Sequence, residues 1–155
     1  MVILAILSAA ALPNLSPSMR REQLTAASLG IANWLERVRN QAVKDMETCQ
    51  ISITDDDASA SLAVTPDSPG CNKITTFNIN QQENTPTEIS VVISNSSDSD
   101  FSFSPRGSVN RDQEMELTMG GSPTTRCIKV VAPIGLVRTG IKRNGGCSYA
   151  KELND

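Results

Sequence analysis

Residues 1–15 read MVILAILSAAALPNL, an uncharged apolar run that ends just past Pro13 and passes directly into a polar, helix-patterned segment. Between Met1 and Leu12 only Ser8 is polar. At about 1.5 Å per residue the run reaches roughly 18 Å as a helix, against a hydrocarbon core of about 30 Å, so by itself it is too short to span a bilayer. Three readings stand at this point. The run has the length of a signal-peptide apolar region, with Ala9, Ala10 and Ala11 as small residues for cleavage, but it lacks a basic n-region. It also has the length of a buried core helix, although a helix apolar on every face needs apolar surroundings all round. Finally, it fits the inner part of a longer membrane-inserted helix that continues past a proline kink into an amphipathic one.

Working outward, Ser16-Pro17 is a helix-start signal, a good N-cap followed by a proline in the first turn. Leu24, Ala27, Ile31, Leu35, Val38 and Ala42 then recur at steps of three or four, while Arg20, Arg21, Glu22, Glu36, Arg37 and Lys44 mostly fall elsewhere around the axis. That pattern predicts an amphipathic helix of about seven turns, ending near Glu47 or Thr48, with Gly30 as a soft spot costing up to about 1 kcal/mol. After Cys49 the period becomes strand-like. Strands are expected over 50–54, 60–64, 73–78, 88–94, 101–104, 114–118, 127–132 and 136–139, separated by turns at Pro66, Pro69-Gly70, Pro86, Pro105-Arg106-Gly107, Gly120-Gly121, Pro133 and Gly135. The polar stretch 94–100 (SNSSDSD) reads as a loop. One long helix followed only by short strands defines an α+β fold, in which an antiparallel sheet packs on the apolar stripe of the helix. The chain divides into an apolar segment 1–15, an amphipathic helical segment 16–48 and a β-rich globular region 49–155.

The 155 residues suffice for one domain with a real core, and with no His, one Trp, one Tyr and three Phe that core is aliphatic. The net charge of -3 hides an asymmetry: residues 1–125 hold 8 Lys+Arg against 15 Asp+Glu, whereas residues 126–155 hold 6 against 2. A local basic region therefore says more than the overall balance. The four cysteines, Cys49, Cys71, Cys127 and Cys147, are widely spaced, without a C-x-x-C pair or a histidine, so no metal site is expected. An even cysteine number beside an export-like N-terminus favours disulfides. Four cysteines permit three connectivities; sequence-near pairing joins Cys49 to Cys71 and Cys127 to Cys147, each bond contributing about 3 kcal/mol in the chain-entropy model.

Nothing in the chain supports catalysis. The absence of histidine removes Ser-His and Cys-His nucleophiles. Ser148-Tyr149-Ala150-Lys151 matches S-x-x-K, but the partner motif K-T-G is missing and the match sits at the extreme C-terminus. Asp55-Asp56-Asp57 lacks the alternation of a calcium loop and reads as a solvated acidic turn, and Asn95-Ser96-Ser97 as a loop marker. No catalytic residue, cofactor, metal or small-molecule substrate is expected.

The proline-kinked run VILAILSAAALPNL leading into a long amphipathic helix resembles the N-terminal helix of type IV pilins and type II secretion pseudopilins. Phe103-Ser104-Pro105-Arg106-Gly107-Ser108-Val109 and the stretch 127–140 (CIKVVAPIGLVRTG) are similar to the sheet and C-terminal signature of GspH/FimT-type minor pilins. The family's basic leader, cleavage site and glutamate-containing segment are not in the sequence. Aligning Pro13 with the family's helix proline leaves about nine residues unaccounted for, close to the roughly eight that spanning a membrane requires. The expectation is a truncated start, to be checked by N-terminal sequencing or by the nucleotide sequence upstream of Met1.

The resemblance implies a structural role: a single-pass bacterial inner-membrane protein whose globular domain is exported, periplasmic or on a surface pilus. Its apolar helix, with Ile3, Leu4, Ile6, Leu7, Leu12 and Pro13, would sit in lipid before assembly and then against other pilins or pseudopilins in a fibre core. The alternatives are a pseudopilin of a type II secretion system, and an anchored exported binding domain with no fibre role. Some FimT-group members carry a C-terminal glycine-arginine-any-arginine motif implicated in DNA binding during transformation. Here the matching positions are Gly135-Leu136-Val137-Arg138, so one arginine is replaced. Arg126, Lys129, Arg138, Lys142 and Arg143, with Lys151 beyond, are the candidate phosphate contacts. With Tyr149 alone available for stacking, any binding is expected to be weak, sequence-independent and salt-sensitive.

Overall fold

The computed structural model describes residues 15–56, 59–65, 70–79, 89–93 and 100–149. The apolar run 1–14, with Ile3, Leu4, Ile6, Leu7, Leu12 and Pro13, and the C-terminal Lys151 lie outside the described residues, as does the Asn95 sequon.

The amphipathic pattern forms helix α1, Leu15–Asp45. Its expected stripe, Leu24, Ala27, Ile31, Leu35, Val38 and Ala42, is buried, and Trp34 and Ser28 join the same face. Trp34 is an addition to the sequence-derived stripe: its ring is fully buried while its indole Nε1 donates to Thr75 O at 2.9 Å, so the polar edge is satisfied. The helix stops two to three residues earlier than expected. Met46 takes φ 55° and the Glu47 N–H reaches back to Ala42 O at 3.1 Å, the six-to-one bond of a Schellman cap. Gly30 serves packing rather than marking a weakness, because a Cβ there would lie 2.9 Å from Phe77 Cζ.

The strands form two antiparallel sheets rather than one. Strands β1 (Cys49–Asp56), β2 (Ser59–Val64), β3 (Phe77–Asn78) and β5 (Phe101–Phe103) make a four-stranded sheet in the order β3-β2-β1-β5. Strands β4 (Ile89–Ile93), β6 (Gln113–Met119), β7 (Arg126–Val131), β8 (Leu136–Arg143) and β9 (Gly146–Ser148) make a five-stranded sheet in the order β4-β6-β7-β8-β9. Helix α1 packs against β6, β7 and β8 of the larger sheet and against β1 and β5 of the smaller, so its buried stripe is the common floor of both. Alternation in β6 is complete: Gln113, Met115, Leu117 and Met119 are buried, while Glu114, Glu116 and Thr118 lie on the outer face.

Three strand expectations change. Of 73–78 only Phe77–Asn78 pairs as a strand. The preceding residues turn tightly, Ile74 N donating to Cys71 O at 3.1 Å, because Cys71 is drawn onto Cys49 and Thr75 onto Trp34. Asp55 and Asp56 extend β1, paired with Ala60 and Ser59, instead of forming a turn. Strand β8 runs four residues past its expected end, to Arg143, and folds back through Asn144-Gly145 into β9, which went unanticipated. Asn144 and Gly145 both have positive φ, 51° and 84°, the signature of a two-residue type I′ hairpin.

Both disulfides follow sequence-near pairing. Cys49–Cys71 lies in the core with both residues fully buried; Cys127–Cys147 ties β9 to β7 on the outer face of the larger sheet, with Cys127 buried and Cys147 partly exposed.

Candidate functional site

The C-terminal basic residues ride on β7 and β8, where cross-strand register and period-two alternation decide the face each occupies. Lys129 pairs with Arg138, Cys127 with Gly140, and Lys142 with Cys147; Lys129, Arg138 and Lys142 therefore share the outer face. Arg126 pairs with Ile141, which sets Arg126, Ile141 and Arg143 on the opposite, helix-side face. The five cations expected to form one basic patch are thus divided between two faces.

Their local partners divide them further. Arg126 is a brace: its Nη2 donates to Thr25 Oγ1 of α1 at 2.7 Å, and the same hydroxyl donates to Arg21 O at 2.8 Å. Arg126 is thus half-buried and set apart from the face that carries Lys129, Arg138 and Lys142. Lys129 Nζ stands 3.7 Å from Asp112 Oδ2, and Lys142 Nζ donates to Glu116 Oε2 at 2.6 Å. Asp112 also accepts from Ala132 N at 2.6 Å, fixing the exit from β7. Arg138 is exposed and, among the described residues, has no carboxylate partner; Arg143 is exposed at the end of β8. The outer face therefore carries alternating charge, Glu114 and Glu116 on β6 beside Lys129, Lys142 and Arg138, instead of a continuous positive field.

Tyr149 closes this face at its C-terminal edge. A Cβ on Gly140 would collide with the Ser148 backbone carbonyl and lie 2.9 Å from Tyr149 Cδ1, so the glycine makes room first for the backbone of β9 and then for the ring. Burial first, and then the adjacent carboxylates of Glu114 and Glu116, push the Tyr149 hydroxyl well above the ordinary tyrosine range. The donor atoms of Glu114, Glu116 and Cys147 fall within 4.8 Å of one another, but the Cys147 sulfur is committed to the disulfide and Lys142 occupies Glu116. Ser148, the serine of the S-x-x-K match, lies on β9, where the one-helical-turn spacing required of a serine-lysine pair does not apply.

Sequence reading missed the residue that joins the two signature loops. Arg39, on α1, donates through Nε to Gly107 O at 3.0 Å and through Nη2 to Ile134 O at 3.4 Å, while its Nη1 meets Glu36 Oε2 at 3.5 Å. Gly107, with φ 74°, and Gly135, with φ 66°, pack backbone to backbone, and a Cβ on Gly135 would collide with the Gly107 carbonyl. Val109 N donates to Pro133 O at 3.0 Å across the same junction. Both loops that carried the family resemblance are therefore one structural unit under an arginine fork. In the sequence only the turn glycines of Pro105-Arg106-Gly107 and Pro133-Ile134-Gly135 hinted at it.

A single long N-terminal helix packed under two antiparallel sheets, with one disulfide in the core and one tying the edge strand β9 to β7, is a pilin-like α+β fold. It is similar to the crystal structure of the type IV minor pilin FimU from Pseudomonas aeruginosa strain PAO1, with a TM-score of 0.58 and 13% sequence identity over 83% of this chain and 95% of that one. At that identity the likeness is one of fold. No protein-family model matches the sequence, and no curated protein matches it significantly.

Proposed function

We propose that the protein is a structural minor pilin of the GspH/FimT type in a type IV pilus, acting by assembly and not by catalysis. The observation that carries this reading is the fold likeness to a type IV minor pilin, reinforced by a helix whose outward face is free to meet other helices. The apolar run 1–14 supplies the lipid-facing and fibre-core surface, and the domain from Cys49 onward is the exported part, held at the inner membrane before assembly. A type II secretion pseudopilin uses the same architecture and is the alternative. Site-specific cross-linking from positions between Leu4 and Leu12 in the native host tests the proposal. Adducts with other pilins support it, adducts with secretion-system pseudopilins favour the alternative, and recovery of monomer alone supports an anchored domain with no fibre role.

A secondary reading, weak sequence-independent DNA capture, rests on the exposed Arg138 facing Lys129, with Lys142 on the same face and Arg143 at the strand end. The interleaved carboxylates limit it to a few phosphate contacts, which weaken steeply with salt. Gel shifts at low and moderate salt decide the matter. Binding that disappears in the combined variant Arg138→Ala, Lys142→Ala, Arg143→Ala supports capture, and absence of binding at low salt removes it.

A further inference from the structure

We infer that the tip of the β8–β9 hairpin is a site of spontaneous covalent modification, in which Asn144 converts to a mixture of aspartate and isoaspartate. Asn144 is followed by Gly145, and no other asparagine in the sequence precedes a glycine. Both residues are exposed, and nothing lies within 4 Å of the position a Cβ on Gly145 would occupy. The nitrogen that must attack thus belongs to a residue with no side chain of its own, at an exposed turn tip. The Gly145 backbone nitrogen attacks Asn144 Cγ, forming an N–Cγ bond; the Cγ–Nδ2 bond breaks and the amide nitrogen leaves as ammonia, taking up the proton released from Gly145 N. Water then adds to the cyclic imide. Cleavage of N–Cγ gives aspartate, and cleavage of the bond between Gly145 N and the Asn144 backbone carbonyl carbon gives isoaspartate.

Left-handed geometry at Asn144 does not align the attack, so reaction proceeds through brief opening of the hairpin end. The hairpin is suited to that: β9 has three residues, pairs with β8 alone among the described strands, and lies at the sheet edge, where local opening is cheap. Either product puts a carboxylate beside Lys142 and Arg143, lowering the positive charge of this end of β8. The isoaspartate form also lengthens a two-residue turn by one backbone atom, which is incompatible with the pairing of Arg143 with Gly146. The Cys127–Cys147 bond, two residues beyond the turn, keeps β9 attached while that pairing is lost.

The test is prolonged incubation of the full oxidised chain at mildly alkaline pH, with peptide mapping and isoaspartate-specific enzymatic labelling. The expected result is an amide-to-acid mass gain confined to the peptide containing Asn144, labelled as isoaspartate, and abolished in Asn144→Gly, which keeps a Gly-Gly turn compatible with positive φ. A gain that maps elsewhere or survives in Asn144→Gly overturns the inference. So does a native chain that stays unmodified over a period in which the same chain converts in denaturant.

Discussion

Arg39 is the side chain on which most depends locally, because one guanidinium serves two backbone carbonyls from loops 104–109 and 132–135, which also meet through glycine backbone and the Val109 N to Pro133 O bond. Removing it strands the partly buried Gly107 carbonyl, while the exposed Ile134 carbonyl turns to water, and a hydrogen bond to a charged donor is worth about 1.5–3 kcal/mol when lost without replacement. Arg39→Ala should therefore lower unfolding free energy by about 2–3 kcal/mol in denaturant titration. Arg39→Lys should recover little, since an ammonium cannot reproduce the fork. Tyr149 gives a pH-dependent counterpart. Its folded-state pKa is raised above the unfolded value of about 10, so the neutral phenol contributes stability that is fully present below pH 10 and declines as the unfolded chain begins to ionise first. Thermal unfolding followed above pH 10 should show that decline, and Tyr149→Phe should flatten it while leaving the neutral-pH midpoint near its original value. An unchanged alkaline slope would mean that another group controls it.

The residue just past the end of α1 carries a conformational cost that its own side chain does not offset. Met46 adopts left-handed φ while remaining 80% exposed, so its side chain returns no burial energy for the strain. An L-residue in that conformation costs about 1–2 kcal/mol, and Met46→Gly should accordingly raise stability by about 1 kcal/mol through the same Schellman cap. The midpoint of chemical denaturation measures it. The disulfides present a contrast between elements. Cys127–Cys147 closes a loop with sequence separation 20 and fastens a three-residue edge strand, so its removal by paired Cys→Ser substitution should cost about 3 kcal/mol globally and raise hydrogen exchange first in β9. Paired substitution at Cys49 and Cys71 also buries two hydroxyls in the core, so it should cost more than the 127–147 change.

For the molecule as a whole, among the described residues α1 is covered by two sheets along one side, while away from them Met19 and Leu29 are 57% and 50% exposed. Leu29 points directly away from the buried stripe, so Leu29→Glu should change stability by less than about 0.5 kcal/mol and yet reduce cross-linking to neighbouring pilins if that face meets other helices in a fibre. Unchanged cross-linking would relocate the contact. Local pattern sufficed for the helix, because a period near 3.6 forces one face inward whatever it packs against, and Leu24 through Ala42 are buried as their spacing demands. Period-two alternation likewise announced Gln113–Met119 and Arg126–Val131 to within a residue or two. The hairpin to β9 is legible as well, in Asn144-Gly145, a dipeptide that favours the two-residue turn found there. What local pattern does not encode is which strand lies beside which. The split into two sheets, the shrinkage of 73–78 to Phe77–Asn78, and the use of Gly30 as a seat for Phe77 all arise from contacts between residues distant in the chain. The basic residues illustrate the same division most sharply. Composition alone determined that residues 126–155 carry excess positive charge, since charge is a property of the residues present. Only the tertiary structure determined that Arg126 turns inward to α1, that Lys129 and Lys142 meet carboxylates of neighbouring segments, and that Arg138 is left exposed, because the face a side chain occupies is fixed by strand register and by what the sheet packs upon.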